Sequence, residues 1–314
     1  ASWICGICVT GNAKDGIIFS AFMFLHSFSD MGKELFVLTI LQAAILGLVQ
    51  GLAEFLPISS SGHLILARAI MGISDESAAT GAYMMLDVLL HVGTLLAVAI
   101  VFWKDWWNIL KNPFKSKTLG LLIIASVPAL LTVVFFGDFV DQFFTGWFLG
   151  VSFLITAVFL LIAEFASRHA KKRAAQPGVK HAIVMGIMQA IALLPGVSRS
   201  GSTLTGGVAS GLDRKAAAKF AFMMSAPAIL GSLIFEGKSA IESGAMSQLA
   251  LVPTIIGVLV AAVSGYLSIR FMLKLINKAS LNWFALYVAL LGLVILCLQL
   301  GGCPGLPAFQ LPTL

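Results

Sequence analysis

The sequence predicts an all-α polytopic membrane protein, with six transmembrane helices and two re-entrant helical hairpins arranged as an inverted-topology repeat. Three observations carry this reading. The chain is 59% hydrophobic and only 11% charged, with a mean hydropathy of +0.99. Soluble globular chains carry about a quarter charged residues, so this much apolar surface has only lipid to face. Six apolar segments each approach the roughly 20 residues that a helix needs to cross a bilayer. Two further apolar regions are broken in the middle by Pro, Ser and Gly, and the two breaks resemble one another.

Residues 1–30 are expected to be an N-terminal extension, non-native or processed, because their apolar stretch 16–25 is short for a span. The first broken region, about 38–72, contains FLPISSSGH at 55–63. Unpaired backbone at membrane depth survives only where protein or a water-filled cavity satisfies it, which predicts a re-entrant hairpin. Crossings follow at about 84–103, 119–137 and 147–165. The second broken region, about 181–210, contains LLPGVSRSGST at 193–203, and crossings at about 216–236, 250–273 and 281–300 complete the chain. Sliding the sequence by 139 positions aligns Ala43, Gly47, Gln50, Ala53, Ser59, Ser61 and Gly62 with Ala182, Gly186, Gln189, Ala192, Ser198, Ser200 and Gly201 without a gap. The chain therefore divides into a first repeat, 31–176, and a second, 177–314. Three crossings separate the hairpins, and an odd number makes the second copy enter from the opposite face, as in inverted repeats whose broken helices meet near the midplane.

Basic residues test the topology. Lys104, Lys111, Lys115 and Lys117, then Arg168, Lys171, Lys172, Arg173 and Lys180, then Arg214, Lys215 and Lys219, and finally Lys274 and Lys278 fall on one side if the hairpins do not cross. That side is the cytoplasm by the positive-inside rule. The loops 138–146, with Asp138 and Asp141, and 237–249, with Lys238 and Glu242, are then outside, as are both chain ends. The net charge of +6 is spread over these short loops, and with no nucleic-acid motif present no nucleic-acid partner is expected.

The two breaks carry the chemistry. Gln50 and Glu54 lie four apart and share a helix face, pointed toward the serines and His63 if the chain turns at Pro57. An ionisable residue at membrane depth marks a functional site by default; the blander and less favoured reading is that Glu54 is a neutral, hydrogen-bonded acid that stabilises the break. In the second break Arg199 sits among Ser198, Ser200, Gly196 and Gly201. Small residues let backbone N–H groups converge on an anion, and a guanidinium grips phosphate oxygens bidentately; snorkelling of Arg199 to an interface is the blander reading. Ser or His as nucleophile, Glu or His as proton carrier and Arg against the equatorial oxygens make up a phosphoryl-transfer set. No nucleotide-binding motif is present, so a lipid phosphate or diphosphate is the expected substrate.

QGLAEFLPISSSGH, 50–63, and PGVSRSGST, 195–203, resemble the two signatures of the bacterial undecaprenyl-diphosphate phosphatase family, associated with bacitracin resistance, and the resemblance runs from about Met31 to Leu300. It implies hydrolysis of undecaprenyl diphosphate to the monophosphate and inorganic phosphate in the bacterial inner membrane, recycling the carrier lipid for cell-wall synthesis. It further implies Ser60 as nucleophile, His63 and Glu54 as proton-handling groups and Arg199 on the diphosphate. Ser59, Ser61, Gly62, Ser198, Ser200, Gly201 and Thr203 would be the substrate-binding shell. The family uses a divalent cation, Mg or Ca, with Glu54 and Gln50 as candidate contacts. The family's first acidic position is the neutral Gln50 here, so the substrate's phosphates are expected to hold the metal chiefly. Among the adjacent serines the repeat pairs Ser60 with Arg199, which favours Ser60 as the specialised one; water or His63 as the attacking group stays open, and so does a homodimer as the assembly.

Asp87 and His91, four apart on the first crossing, are candidates for a polar path or a helix–helix hydrogen bond. Cys5, Cys8, Cys297 and Cys303 lack the spacing of a zinc site. Trp103, Trp106 and Trp107 are expected at the interface. The rival to hydrolysis is a lipid-phosphate flippase or transporter that uses the same loops to bind a headgroup without cleaving it.

Overall fold

The computed structural model describes residues 38–73, 82–141, 143, 146–169, 173–242, 250–302 and 306. The expectations for residues 1–30, Cys5, Cys8, Cys303 and residues 243–249 lie outside them. The described residues form eleven α-helices and no strand, apart from one isolated bridge between Ala174 and Leu212.

Both broken regions are pairs of short helices. Helices α1 (Ile40–Phe55) and α2 (Ser60–Ile70) make the first, and α7 (Val179–Ile191) and α8 (Arg199–Ala209) the second. None has the roughly 20 residues needed to cross a bilayer. Their starts are alike at an offset of 139. Thr39 N donates to Gln42 Oε1 and Gly178 N to His181 Nδ1, both at 3.0 Å. Ser59 Oγ accepts from Gly62 N at 3.3 Å and Ser198 Oγ from Gly201 N at 3.1 Å. Each serine caps its helix by satisfying a backbone donor that has no partner in the first turn. Helix α1 stops because Pro57 disfavours helical backbone at the residue before it, and Leu56 is extended at φ −73° and ψ 141°.

The long helices are α3 (Ala82–Val101), α5 (Lys117–Asp141), α6 (Leu149–His169), α9 (Arg214–Glu242), α10 (Leu251–Leu275) and α11 (Asn282–Leu300). Five helices are long and apolar enough to cross a membrane, and six if Met85–Val101 and α4 (Trp103–Lys111), bent by 79°, count as one span. The first crossing thus ends two residues before the expected 103. Its continuation, WKDWWNILK, is amphipathic and turns aside. Trp103 and Trp107 are exposed, as expected of an interface belt, but Trp106 packs inward against the core. Helices α5 and α9 run into the loops expected at 138–146 and 237–249.

The halves interlock. Helix α1 packs on α10 from the second half, and α7 on α5 from the first. Both seams need glycine. A Cβ on Gly47 would fall 2.2 Å from Gly257 O, and one on Gly186 2.5 Å from Ala125 O. Without a hydrophobic drive between helices in lipid, such close backbone approach supplies the packing energy.

The described parts of the four basic segments gather at one end, Lys171 and Lys172 lying outside the described residues. Lys219 Nζ lies 2.7 Å from Asp105 Oδ1, and Arg214 pairs with Glu164 and donates to Ala279 O at 3.2 Å. Glu164 also takes Leu281 N and Arg168 Nε, at 2.9 and 2.8 Å, while Arg173 reaches Leu212 O at 2.9 Å. The grouping expected from charge is thus the grouping in space.

Gly47→Ala and Gly186→Ala should each destabilise the fold by roughly 1–3 kcal/mol, the range for overpacking a tight seam. Thermal unfolding in detergent should show both midpoints lowered, with Gly120→Ala, where a Cβ meets nothing within 4 Å, as the unaffected control.

Candidate active site

The two breaks meet tip to tip. Ser200 Oγ donates to Leu56 O at 3.0 Å, and Gly196 N donates to Ser61 Oγ at 3.2 Å. Ser198 N is held by Thr156 Oγ of α6 at 2.9 Å. Each tip also holds a serine pair, Ser59 and Ser61 at 3.4 Å and Ser198 and Ser200 at 3.3 Å. Backbone groups freed by one break are thereby satisfied by the other, the condition for irregular chain at membrane depth.

Glu54, 5% exposed in the last turn of α1, is the centre. Its Oε1 pairs with Arg199 Nη2, from the first residue of α8. Its Oε2 accepts from Ser60 Oγ at 2.5 Å and from Gln50 Nε2 at 3.1 Å. A hydroxyl that close to a carboxylate is in the range of charge-assisted hydrogen bonds. Two buried atoms keep unused capacity: Arg199 Nη1 and Gln50 Oε1 have no hydrogen-bond partner among the described residues. A buried donor on a cation and a buried acceptor beside a carboxylate are unfavourable unless a ligand completes them.

Of the expected residues, Gln50, Glu54, Ser60 and Arg199 therefore come together, and Ser59, Ser61, Ser198, Ser200, Gly62 and Gly201 form the joint around them. Thr203 turns its Oγ back to Arg199 O at 2.8 Å, within its own helix. His63 points elsewhere: Nδ1 lies 2.7 Å from Ser59 O and Nε2 2.8 Å from Tyr287 Oη. Three further residues reach the neighbourhood. His91 Nε2 lies 3.6 Å from Glu54 Oε2, and its Nδ1 donates to Asp87 O at 2.7 Å. Arg68 Nη1 bridges both Asp87 carboxylate oxygens, at 2.7 and 2.8 Å. The spacing of Asp87 and His91 was the available signal for that side; nothing local in sequence marks Arg68 or Tyr287.

The family model described as bacitracin resistance protein BacA matches residues 43–294. This chain belongs to the BacA family. Curated relatives agree over most of their length. An undecaprenyl-diphosphatase of Carboxydothermus hydrogenoformans is 41% identical over 263 residues, 83% of this chain and 98% of the relative. Undecaprenyl-diphosphatase 4 of Bacillus thuringiensis subsp. konkukian is 40% identical over 82% of this chain and 97% of its own. The undecaprenyl-diphosphatase of Halothermothrix orenii is 37% identical over 82% and 98%.

For a BacA-family site the donor set bears on metal. Among the described residues no group of three or more His, Cys, Asp or Glu could hold an ion. The unpartnered Gln50 Oε1 beside Glu54 does fit a hard cation that takes two protein oxygens and completes its shell from phosphate and water.

Removing one member of the buried Glu54–Arg199 pair strands the other. Glu54→Ala and Arg199→Ala should each cost about 3–5 kcal/mol of stability, and the double variant less than their sum. Unfolding midpoints in detergent for the three variants check this; additive losses would mean that the pair is uncoupled.

Proposed function

We propose that this chain is an integral membrane phosphatase that hydrolyses undecaprenyl diphosphate to undecaprenyl phosphate and inorganic phosphate, recycling the carrier lipid for cell-wall synthesis and conferring bacitracin resistance. The relatives' activity as undecaprenyl-diphosphatases supports the class. The observation that carries the reading is Ser60 Oγ donating at 2.5 Å to a buried carboxylate that is itself paired with an arginine holding a free donor.

The arrangement in lipid belongs to the same proposal: six crossings, with α1–α2 opening outward and α7–α8 inward as an inverted repeat. It places the gathered basic segments in the cytoplasm and both chain ends on the outer face of the inner membrane. The matched caps at an offset of 139, the reciprocal α1/α10 and α7/α5 seams and the short hairpin helices support it. A site at the meeting point of two hairpins suits a substrate whose tail stays in lipid.

In the reaction, Arg199 Nη1 and the serine hydroxyls grip the terminal phosphoryl group. Ser60 Oγ attacks that phosphorus as its proton passes to Glu54 Oε2, and the bond to the bridging oxygen breaks, releasing undecaprenyl phosphate. Glu54 gives that proton to solvent; water then attacks phosphoserine as its proton passes to the carboxylate, the bond from phosphorus to Ser60 Oγ breaks, and Glu54 returns the proton to Ser60 Oγ as inorganic phosphate leaves. Arg199 opposes charge on the equatorial oxygens throughout. Gln50 Oε1 and Glu54 would hold the divalent cation, Mg or Ca, whose chemistry is to spread the diphosphate charge. A flippase that only binds the headgroup has use for Arg199 and the serines but none for the Ser60–Glu54 contact.

Purified protein in detergent should release phosphate from undecaprenyl diphosphate. Ser60→Ala and Arg199→Ala should each lower the rate by about 10²–10⁴, the range for losing a positioned catalytic group, while unfolding shows Ser60→Ala still folded. Lipid binding without release by the wild type would move the assignment to a transporter.

A further inference from the structure

Ser59 is the one non-glycine residue with positive φ among the described residues, at φ 75° and ψ 103°. That region is sparsely populated for a residue with a Cβ and persists only where its surroundings hold it. The symmetry-related Ser198 has ordinary backbone, at φ −69° and ψ 113°. The two caps make the same Oγ bond to the third residue on, so capping does not explain the difference.

What differs is the grip on the carbonyl. Among the described residues Ser198 O takes Ser202 N alone, at 2.8 Å, and Ser202 Oγ has no hydrogen-bond partner. Ser59 O takes His63 N at 3.2 Å and also His63 Nδ1 at 2.7 Å. A carbonyl only accepts, so Nδ1 carries the proton, and the neutral ring then offers its Nε2 lone pair to the Tyr287 hydroxyl at 2.8 Å. Tyr287 also stacks on the ring, with centroids 5.8 Å apart and 20° between planes, while Phe153 meets it edge-on at 5.3 Å. The imidazole is thus fixed in tautomer and orientation, with no nitrogen left for Ser60 or Glu54.

We infer that Tyr287 and His63 are positioning residues: together they hold Ser59 in its left-handed conformation, and so set the turn that delivers Ser60 Oγ to Glu54. His63 then acts on the reaction through backbone geometry and not as a proton carrier. The helix that supplies Tyr287, α11, belongs to the second repeat, so the second half shapes the first half's nucleophile turn as well as supplying Arg199. Glycine adopts positive φ without strain, which makes the inference testable: once residue 59 is glycine, the brace has little left to do.

The kinetic test rests on the phosphatase reading, and uses full-length protein with undecaprenyl diphosphate in detergent. Tyr287→Phe should lower kcat about tenfold with KM unchanged within about twofold, as expected for lost positioning at the reacting centre. Measured against the Ser59→Gly single variant, the same Tyr287→Phe change should cost less than about twofold, a coupling that a merely structural role would not produce. An equal loss in both backgrounds, no loss in either, or a Tyr287→Phe shift in the acidic limb of the pH–rate profile would overturn the inference. A second readout does not depend on activity: ¹⁵N-histidine NMR, with His63→Gln for assignment, should find His63 neutral with its proton on Nδ1, and Tyr287→Phe should disturb that state. A protonated Nε2 at neutral pH would overturn it even if the wild type released no phosphate.

Discussion

The structure depends on burying one carboxylate against one guanidinium between two helix breaks. Glu54 and Arg199 are each costly in lipid and each tolerable only because the other is there. Neither break could hold its charged residue alone, and neither could satisfy its own backbone. Ser200 Oγ completes Leu56 O in the first tip, while Ser61 Oγ and Thr156 Oγ complete Gly196 N and Ser198 N in the second. The glycine seams of α1 on α10 and α7 on α5 bring the tips to this meeting point, since each arm is anchored on the opposite half. Packing, charge burial and chemistry are therefore one constraint.

The repeat supplies a scaffold twice and chemistry once. At an offset of 139, the caps, the serine pairs and the buried glutamines Gln50 and Gln189 are shared. The other polar positions of the first tip are not: Glu54 faces Leu193 in the alignment, Ser60 faces Arg199, and His63 faces Ser202. One copy carries the carboxylate and hydroxyl, the other the cation, and a negatively charged phosphoryl group requires both. The surroundings differ in the same sense. Helix α8 is buried along nearly its whole length, whereas α2 buries only Gly62 and Leu64, so the arm that carries Ser60 is the more open of the two.

Much of this was legible in the sequence because lipid imposes simple rules. Apolar length marked the long helices, and Pro, Ser and Gly at membrane depth marked the breaks. The Gln50–Glu54 spacing placed both on one face, and the repeat singled out Ser60 and Arg199. What stayed hidden depends on side-chain direction across helices far apart in the chain. Tyr287 lies on a helix that reads as plain lipid-facing sequence, and Arg68 reads as an ordinary helix-end cation. His63 sits beside the serines in sequence, yet its ring turns to α11 because Ser59 O and the Tyr287 hydroxyl capture both nitrogens. Trp106 shares its motif with two exposed tryptophans but falls on the inward face of α4.

The proposed mechanism turns on Ser60 forming the bond to phosphorus. The most direct measurement is acid quench of wild-type protein during a single turnover of undecaprenyl diphosphate, followed by tandem mass spectrometry of the peptide spanning residues 55–63. Phosphate on Ser60 that rises and decays within the turnover is the predicted result. A complete turnover with no phosphate on Ser60 at any time would contradict the account and assign the attack to water or to another side chain.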